Sequence, residues 1–162
     1  MDAEELLRRY ATGERDFAGV ELRYAKLSGA DWSDNNPIGT DLSGINLGGA
    51  NLSEADLGAT NLSAANLSGT NLTKSSLSLA NMTGINLSRA NLTLANLDGA
   101  NLSGANLNKA NLVGAQMTGV NLTRANLTAV NAIESALLEN ALFCGTTLPD
   151  GSVIVGPTYV DD

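Results

Sequence analysis

The sequence predicts a repeat solenoid, in which the chain turns within every five residues around one apolar core. Three observations predict it. From Phe17 to Leu142 there are 26 positions spaced by five, and 20 are Leu; the others are Phe17, Trp32, Pro37, Met82, Met117 and Ala132. Two residues before the leucine the chain is small or β-branched, as at Ala50, Ala55, Thr60 and Ala65. Around the leucine stand turn formers: Asn or Asp before it, Ser or Thr after it, and often Gly next, so the repeat reads A-N-L-S-G.

A period of five fits no ordinary element. On an α-helix it would advance about 500° per repeat, roughly 140° net, and scatter the leucines around the axis. On a flat strand an odd period sends successive leucines to opposite faces. Each pentad must therefore turn, so that every leucine points inward. One coil cannot bury its own leucines, so neighbouring coils must close the core.

Pentads such as Ala50-Asn51-Leu52-Ser53-Glu54 and Ala100-Asn101-Leu102-Ser103-Gly104 carry a resemblance to a known family. With its motif A-(N/D)-L-x-x running over residues 15–145, the chain resembles the pentapeptide repeat proteins. The resemblance implies an all-β solenoid, a right-handed quadrilateral β-helix with four pentads per coil. It implies about six to seven coils and, at stacked-strand spacing, a rod on the order of 30 Å long.

The elements follow in order. Residues 1–14 are expected to form a short N-terminal α-helical cap, helical over 2–12, with Leu6, Leu7 and Tyr10 on one side. The acids Glu4 and Glu5 precede the bases Arg8 and Arg9, as the helix dipole favours, and Gly13 suits the stop. Residues 15–145 form the β-helix, with stacked Asn side chains bonding to backbone and to one another. Its clearest break is Asp34–Gly39, where Pro37 replaces a leucine and the spacing resumes at Leu42; a distorted side or small bulge is expected. Residues 146–162 form a turn and strand tail that covers the last coil. Thr146 is expected to leave the register, Leu148-Pro149-Asp150-Gly151-Ser152 is a turn signal, and Val153-Ile154-Val155 is a last strand.

Charge is uneven along the 162 residues. The net −8 divides into −4 over residues 1–41, +1 over 42–130 and −5 over 131–162. No basic stripe is present, so nucleic-acid binding is disfavoured. Cys144 is the single cysteine, which leaves no intrachain disulfide. With no basic leader and no long apolar run, neither a secretory signal nor a membrane span is expected, and the cytoplasm is the expected location. The Asn-Leu-Ser and Asn-Leu-Thr triplets arise from the repeat rather than as glycosylation sites.

The inventory for chemistry is poor. The chain has no histidine, so His-based acid–base catalysis, hydrolase triads and the usual Cys/His zinc sites are excluded. No catalytic, cofactor-binding or metal-ligating residues are assigned, no cofactor is expected, and the chain is read as not an enzyme. Asp31 and Asp34 form a possible acid pair, but Asp31 stands where the repeat places a turn residue. Cys144 beside Phe143 is read as buried and inert. If residues 20 apart stack, Glu54 meets Lys74 as an ion pair, and Arg89 and Lys109 make a positive spot. Tyr24, Leu79 and Leu94 are apolar groups at outward positions.

These features predict a non-catalytic structural or protein-interaction scaffold. Its partners are expected to be proteins, with self-association through the rod end, and neither nucleic acid nor membrane. The alternative is a DNA mimic that binds DNA gyrase or topoisomerase, as the fluoroquinolone-resistance members of the resembled family do. The +1 charge of the body and the lack of a long apolar C-terminal helix argue against it. The lead-in from Glu4 to Tyr10, followed by Gly13 to Phe17, resembles that of cyanobacterial pentapeptide repeat proteins.

Overall fold

The structure is a computed structural model that describes residues 1–27, 30 and 40–160. Parallel bridges join residues 20 apart through the body, from Asp41↔Asn61 to Asn111↔Asn131. With an inward residue every five positions, each coil holds four pentads. The result is a parallel β-helix with one continuous core. We number the sides in chain order. The first carries Phe17, Leu42, Leu62, Met82, Leu102, Leu122 and Phe143, all buried. The second begins at Leu22 and Leu47, the third at Leu27 and Leu52, and the fourth holds Leu57, Leu77, Leu97 and Met117. Each buried leucine contributes roughly 1.5–3 kcal/mol, against the backbone entropy of ordering its pentad.

The pentad sequence follows from where its five N–H groups go. In Ala50–Glu54 and the Ala55 that follows, the Leu52 N–H donates to Asn71 O at 2.8 Å and the Glu54 N–H to Thr73 O at 2.9 Å, both one level on. The Asn51 N–H reaches back to Ala25 O at 2.9 Å, and the Ala55 N–H closes the turn onto Leu52 O at 3.1 Å. That leaves the Ser53 N–H without a backbone acceptor, and the Asn51 side chain takes it at 3.1 Å. An Asn or Asp before the leucine is thus favoured by the backbone's own donors. Its amide then donates to the residue one level before, as Asn66 does to Asn46 (2.9 Å) and Asn86 to Asn66 (3.2 Å). Where Thr or Ser replaces the small inward residue, its hydroxyl bonds a buried carbonyl: Thr60 to Leu57 O at 2.7 Å, Thr70 to Leu47 O at 3.0 Å.

The fifth residue of each pentad turns the corner with positive φ. Glycine suits this, yet Glu54, Ala64, Lys74, Leu79, Arg89, Leu94, Lys109 and Arg124 also adopt φ between 56 and 60°. A side chain there costs on the order of 1–2 kcal/mol. The repeat tolerates the cost because the bonds on either side fix the turn.

Two departures from 20-residue stacking correct the sequence expectation. Across the first level the offset is 25: Asp16↔Asp41, Glu21↔Asn46 and Lys26↔Asn51. The Asp56 N–H donates to Ala30 O and the Asn61 N–H to Thr40 O, so ten residues from Ala30 to Thr40 match five from Ala55 to Thr60. The five-residue phase is kept, but the coil phase slips by a whole side. Pro37, Trp32 and the expected bulge at Asp34–Gly39 lie outside the described residues.

The second departure lies at Ala132, φ 60, followed by a 3-10 turn over Ile133–Ser135. One extra residue enters there, and bridges beyond it span 21 residues: Gln116↔Leu137, Asn121↔Leu142 and Asn126↔Thr147. Leu137 and Leu142 therefore fall at the position before the inward one. Leu137 is 60% exposed, while Phe143 is 4% exposed and Leu138 packs on the core. Thr146, expected to leave the register, holds the small inward place of its pentad, buried and bonded to Leu122 O at 2.7 Å.

The ends differ from the body. Helix α1, Ala3–Ala11, starts at Asp2, whose carboxylate accepts the Glu5 N–H at 2.8 Å. Leu6 is buried in the common core, and Ala3 and Tyr10 pack beside it. Leu7, expected on that side, points outward. At the other end β1 (Leu142–Phe143) pairs antiparallel with β4 (Thr158–Tyr159), and β2 (Thr146–Thr147) with β3 (Val153–Ile154). The intervening turn is closed by the Leu148 N–H to Ser152 O at 2.8 Å. The tail thereby pairs with strands that would otherwise present open edges.

Candidate binding surface

Three of the five pentad positions commit their side chains to core, turn or ladder, so the candidate surface is made by the other two, the residue after the leucine and the corner. On the second side the corner column runs Tyr24, Gly49, Gly69, Arg89, Lys109 and Ala129. Two successive glycines leave a gap between larger side chains, and the gap is a groove of about 590 Å³ lined by Arg23, Tyr24, Gly49, Ser68, Gly69 and Arg89 among others. Tyr24 is 71% exposed and folds down onto Gly49, its ring atoms 2.6 Å from where a Cβ on that glycine would stand. The Arg23 guanidinium lies 5.5 Å from the Tyr24 ring centroid. Gly69 has nothing within 4 Å of its Cβ position, so the floor is open.

Charge divides by side. The second side carries Arg23, Arg89 and Lys109, and Glu21 on the same side is engaged by the Asn46 amide at 2.8 Å. The fourth side, two turns further round the coil, carries Asp56, Asp98 and Glu139. Asp98 has a structural task. Gln116 stands where Asn belongs and is a methylene too long to serve the Thr118 N–H, which donates instead to the Asp98 carboxylate one level before, at 2.9 Å.

A second, smaller hollow of about 410 Å³ on the first side is lined by Thr83, Ser103, Gly104, Thr123, Arg124 and Cys144. Cys144 is half-buried, with Sγ 4.0 Å from Val155 O, rather than buried as expected. Glu54 and Lys74 share a corner column, as expected, but no ion pair within 4.0 Å joins them among the described residues. Arg89 and Lys109 do stack in one column. Asp31 and Asp34 lie outside the described residues. Among the described residues no group of three or more His, Cys, Asp or Glu side chains could hold a metal ion. No described helix is long and apolar enough to cross a membrane. The second-side groove escaped the sequence because its upper wall stacks at an offset of 25; Tyr24 falls over Gly49 only when that slip is known.

A β-helix of pentads with a grooved, charge-divided exterior defines a repeat protein of the solenoid class. The family model for pentapeptide repeats matches in eight copies over residues 16–53, 40–78, 55–93 and 95–131. The chain belongs to the pentapeptide repeat family. Among solved structures it is similar to alr5209, a pentapeptide repeat protein from the cyanobacterium Nostoc Pcc 7120, at 36% identity and TM-score 0.58, covering 67% of this chain and 84% of that one. It is also similar to AT2G44920, a pentapeptide repeat protein of the Arabidopsis thaliana thylakoid lumen, at 30% identity and TM-score 0.44, covering 70% and 69%. QnrB1, a plasmid-mediated fluoroquinolone resistance protein, aligns at 18% identity and TM-score 0.40, covering 87% and 77%. No curated protein matches.

Proposed function

We propose that the chain is a non-catalytic scaffold that acts by protein interaction, built as a right-handed quadrilateral β-helix over residues 15–145. Residues 1–14 close one end of the rod and residues 146–162 the other. The observation that carries this reading is the use of the pentad. Inward Leu and Ala make the core, Asn side chains serve backbone donors and their own ladder, and corner residues supply the turn. Little is left over for convergent chemistry, whereas the outward charges of the corners lie on a rigid frame suited to recognition.

The partners are proteins, and the exposed Val153, Val155 and Tyr159 at the C-terminal end offer a surface for self-association. A reducing cytoplasm suits a chain whose single cysteine has no intrachain partner. The test is an affinity pull-down from the native host with an Arg89→Gln/Lys109→Gln variant as control. Specific protein capture supports the reading. A saturable turnover by the purified protein, abolished by one point substitution, would contradict it.

A further inference from the structure

Resting on that scaffold reading, we propose that the second-side groove between Tyr24 and Lys109 docks an extended acidic segment of a protein partner. Arg23 and Arg89 line the groove and Lys109 stacks one level beyond Arg89; among the described residues no side-chain hydrogen bond or ion pair engages Arg89 or Lys109, while the Arg23 guanidinium lies over the Tyr24 ring. Their arrangement selects the ligand class. Arg23 and Arg89 stand three levels apart, about 14 Å from backbone to backbone, with Lys109 one level beyond, so the cations are strung along the rod and suit a chain carrying several anionic groups better than a single phosphate. From Tyr24 to Lys109 is four levels, about 19 Å, the reach of roughly six extended residues.

The floor admits a chain because Gly49 and Gly69 carry no side chains. It does not admit strand addition, because backbone donors along this side are used between levels, as in Gly49 N–H to Ser68 O and Gly69 N–H to Ser88 O. Recognition therefore falls to side chains: carboxylates on Arg23, Arg89 and Lys109, with the Tyr24 ring holding the Arg23 guanidinium at the strip. Nucleic acid is the poorer fit. The chain carries −8 overall, and its two acidic ends flank the strip. A short acidic segment is held at the strip and repelled elsewhere, which gives the site its selectivity.

The test is fluorescence anisotropy of a labelled hexaglutamate peptide with the full chain, and of hexaglutamine as its neutral counterpart. Saturable hexaglutamate binding that weakens with salt is expected. Arg89→Gln/Lys109→Gln should weaken it at least about tenfold and Tyr24→Ala about threefold, while Lys74→Gln on the third side leaves it unchanged. Thermal melts establish that each variant is folded, and Tyr24→Ala tests the site independently of the corner cations. Equal binding of hexaglutamine, unchanged affinity in both groove variants, displacement by inorganic phosphate at equal concentration, or tighter binding of a labelled oligonucleotide would each overturn the proposal. Its failure leaves the scaffold reading standing, since that reading falls only on turnover.

Discussion

Leu79 lies over Gly99 one level on, its Cδ2 2.8 Å from the point a Cβ on that glycine would occupy. The same relation joins Leu94 to Gly114 at 2.8 Å and Tyr24 to Gly49 at 2.6 Å. These apolar corner groups are 54–72% exposed, yet each leans on the hollow a glycine provides. Gly99→Ala should therefore destabilise for two reasons: φ of +66° and the push on Leu79. Gly84→Ala, also at φ +66° but with nothing within 4 Å, isolates the first. Urea unfolding should give about 1–2 kcal/mol for Gly84→Ala and about 0.5–1 kcal/mol more for Gly99→Ala. Leu79→Ala should remove that excess. Equal losses at the two glycines would show that the leucine contact carries no strain.

The converse substitution should stabilise. Ala64 holds φ 56 at a corner, so Ala64→Gly relieves left-handed strain of about 1–2 kcal/mol and adds about 0.5–1 kcal/mol of chain entropy in the unfolded state. A net gain of about 0.5–1 kcal/mol is expected in denaturant melts. A loss would mean that the corner is not strained.

Asp98 and Gln116 should be energetically coupled. Asp98→Ala orphans the Thr118 N–H and should cost about 1–3 kcal/mol. Asp98→Asn retains an acceptor and should cost little. Gln116→Asn supplies the usual cap, so in the Asp98→Ala background it should restore most of the loss. Additive effects in this double-mutant cycle would reject the shared donor.

Helix α1 should lose support in acid. Hydrogen bonds from Arg8, both 2.8 Å, together with the charge of that guanidinium, hold the Glu5 carboxyl below the ordinary glutamate range. A depressed folded-state pKa means that the contribution is present above the unfolded value, about 4.3, and is lost as pH falls through the folded one. NMR titration should show Glu5 moving back up in Arg8→Gln. No movement would show that the pair does not form in solution.

Much of the fold was legible because the repeat writes its own hydrogen bonding. Asn before the leucine and a turn former after it mark a pentad as clearly as the leucine does. Two stretches misled for physical reasons. Between Ala30 and Thr40 the extra residues number five, so the leucine phase survives and the slip of one side is invisible to periodicity. After Ala132 the insertion is one residue, but Leu137 and Leu142 occupy the usual Asn position and imitate an unbroken spacing. Ala136, Ala141 and Thr146, each two before Leu138, Phe143 and Leu148, carried the true phase. The groove depended on the first slip. The task of Asp98 was readable in principle from Gln116, the position where the cap residue is too long.

On the proposed function, the outward side chains of the rod hold a protein partner. Site-specific photocrosslinking in the native host tests it most directly, with the reactive group at Ser68 on the groove floor and at Ser78 on the fourth side. A discrete protein adduct is expected from Ser68, reduced by Arg89→Gln/Lys109→Gln, and none of the same size from Ser78. No protein adduct from any outward position, together with saturable turnover by the purified chain, would contradict it.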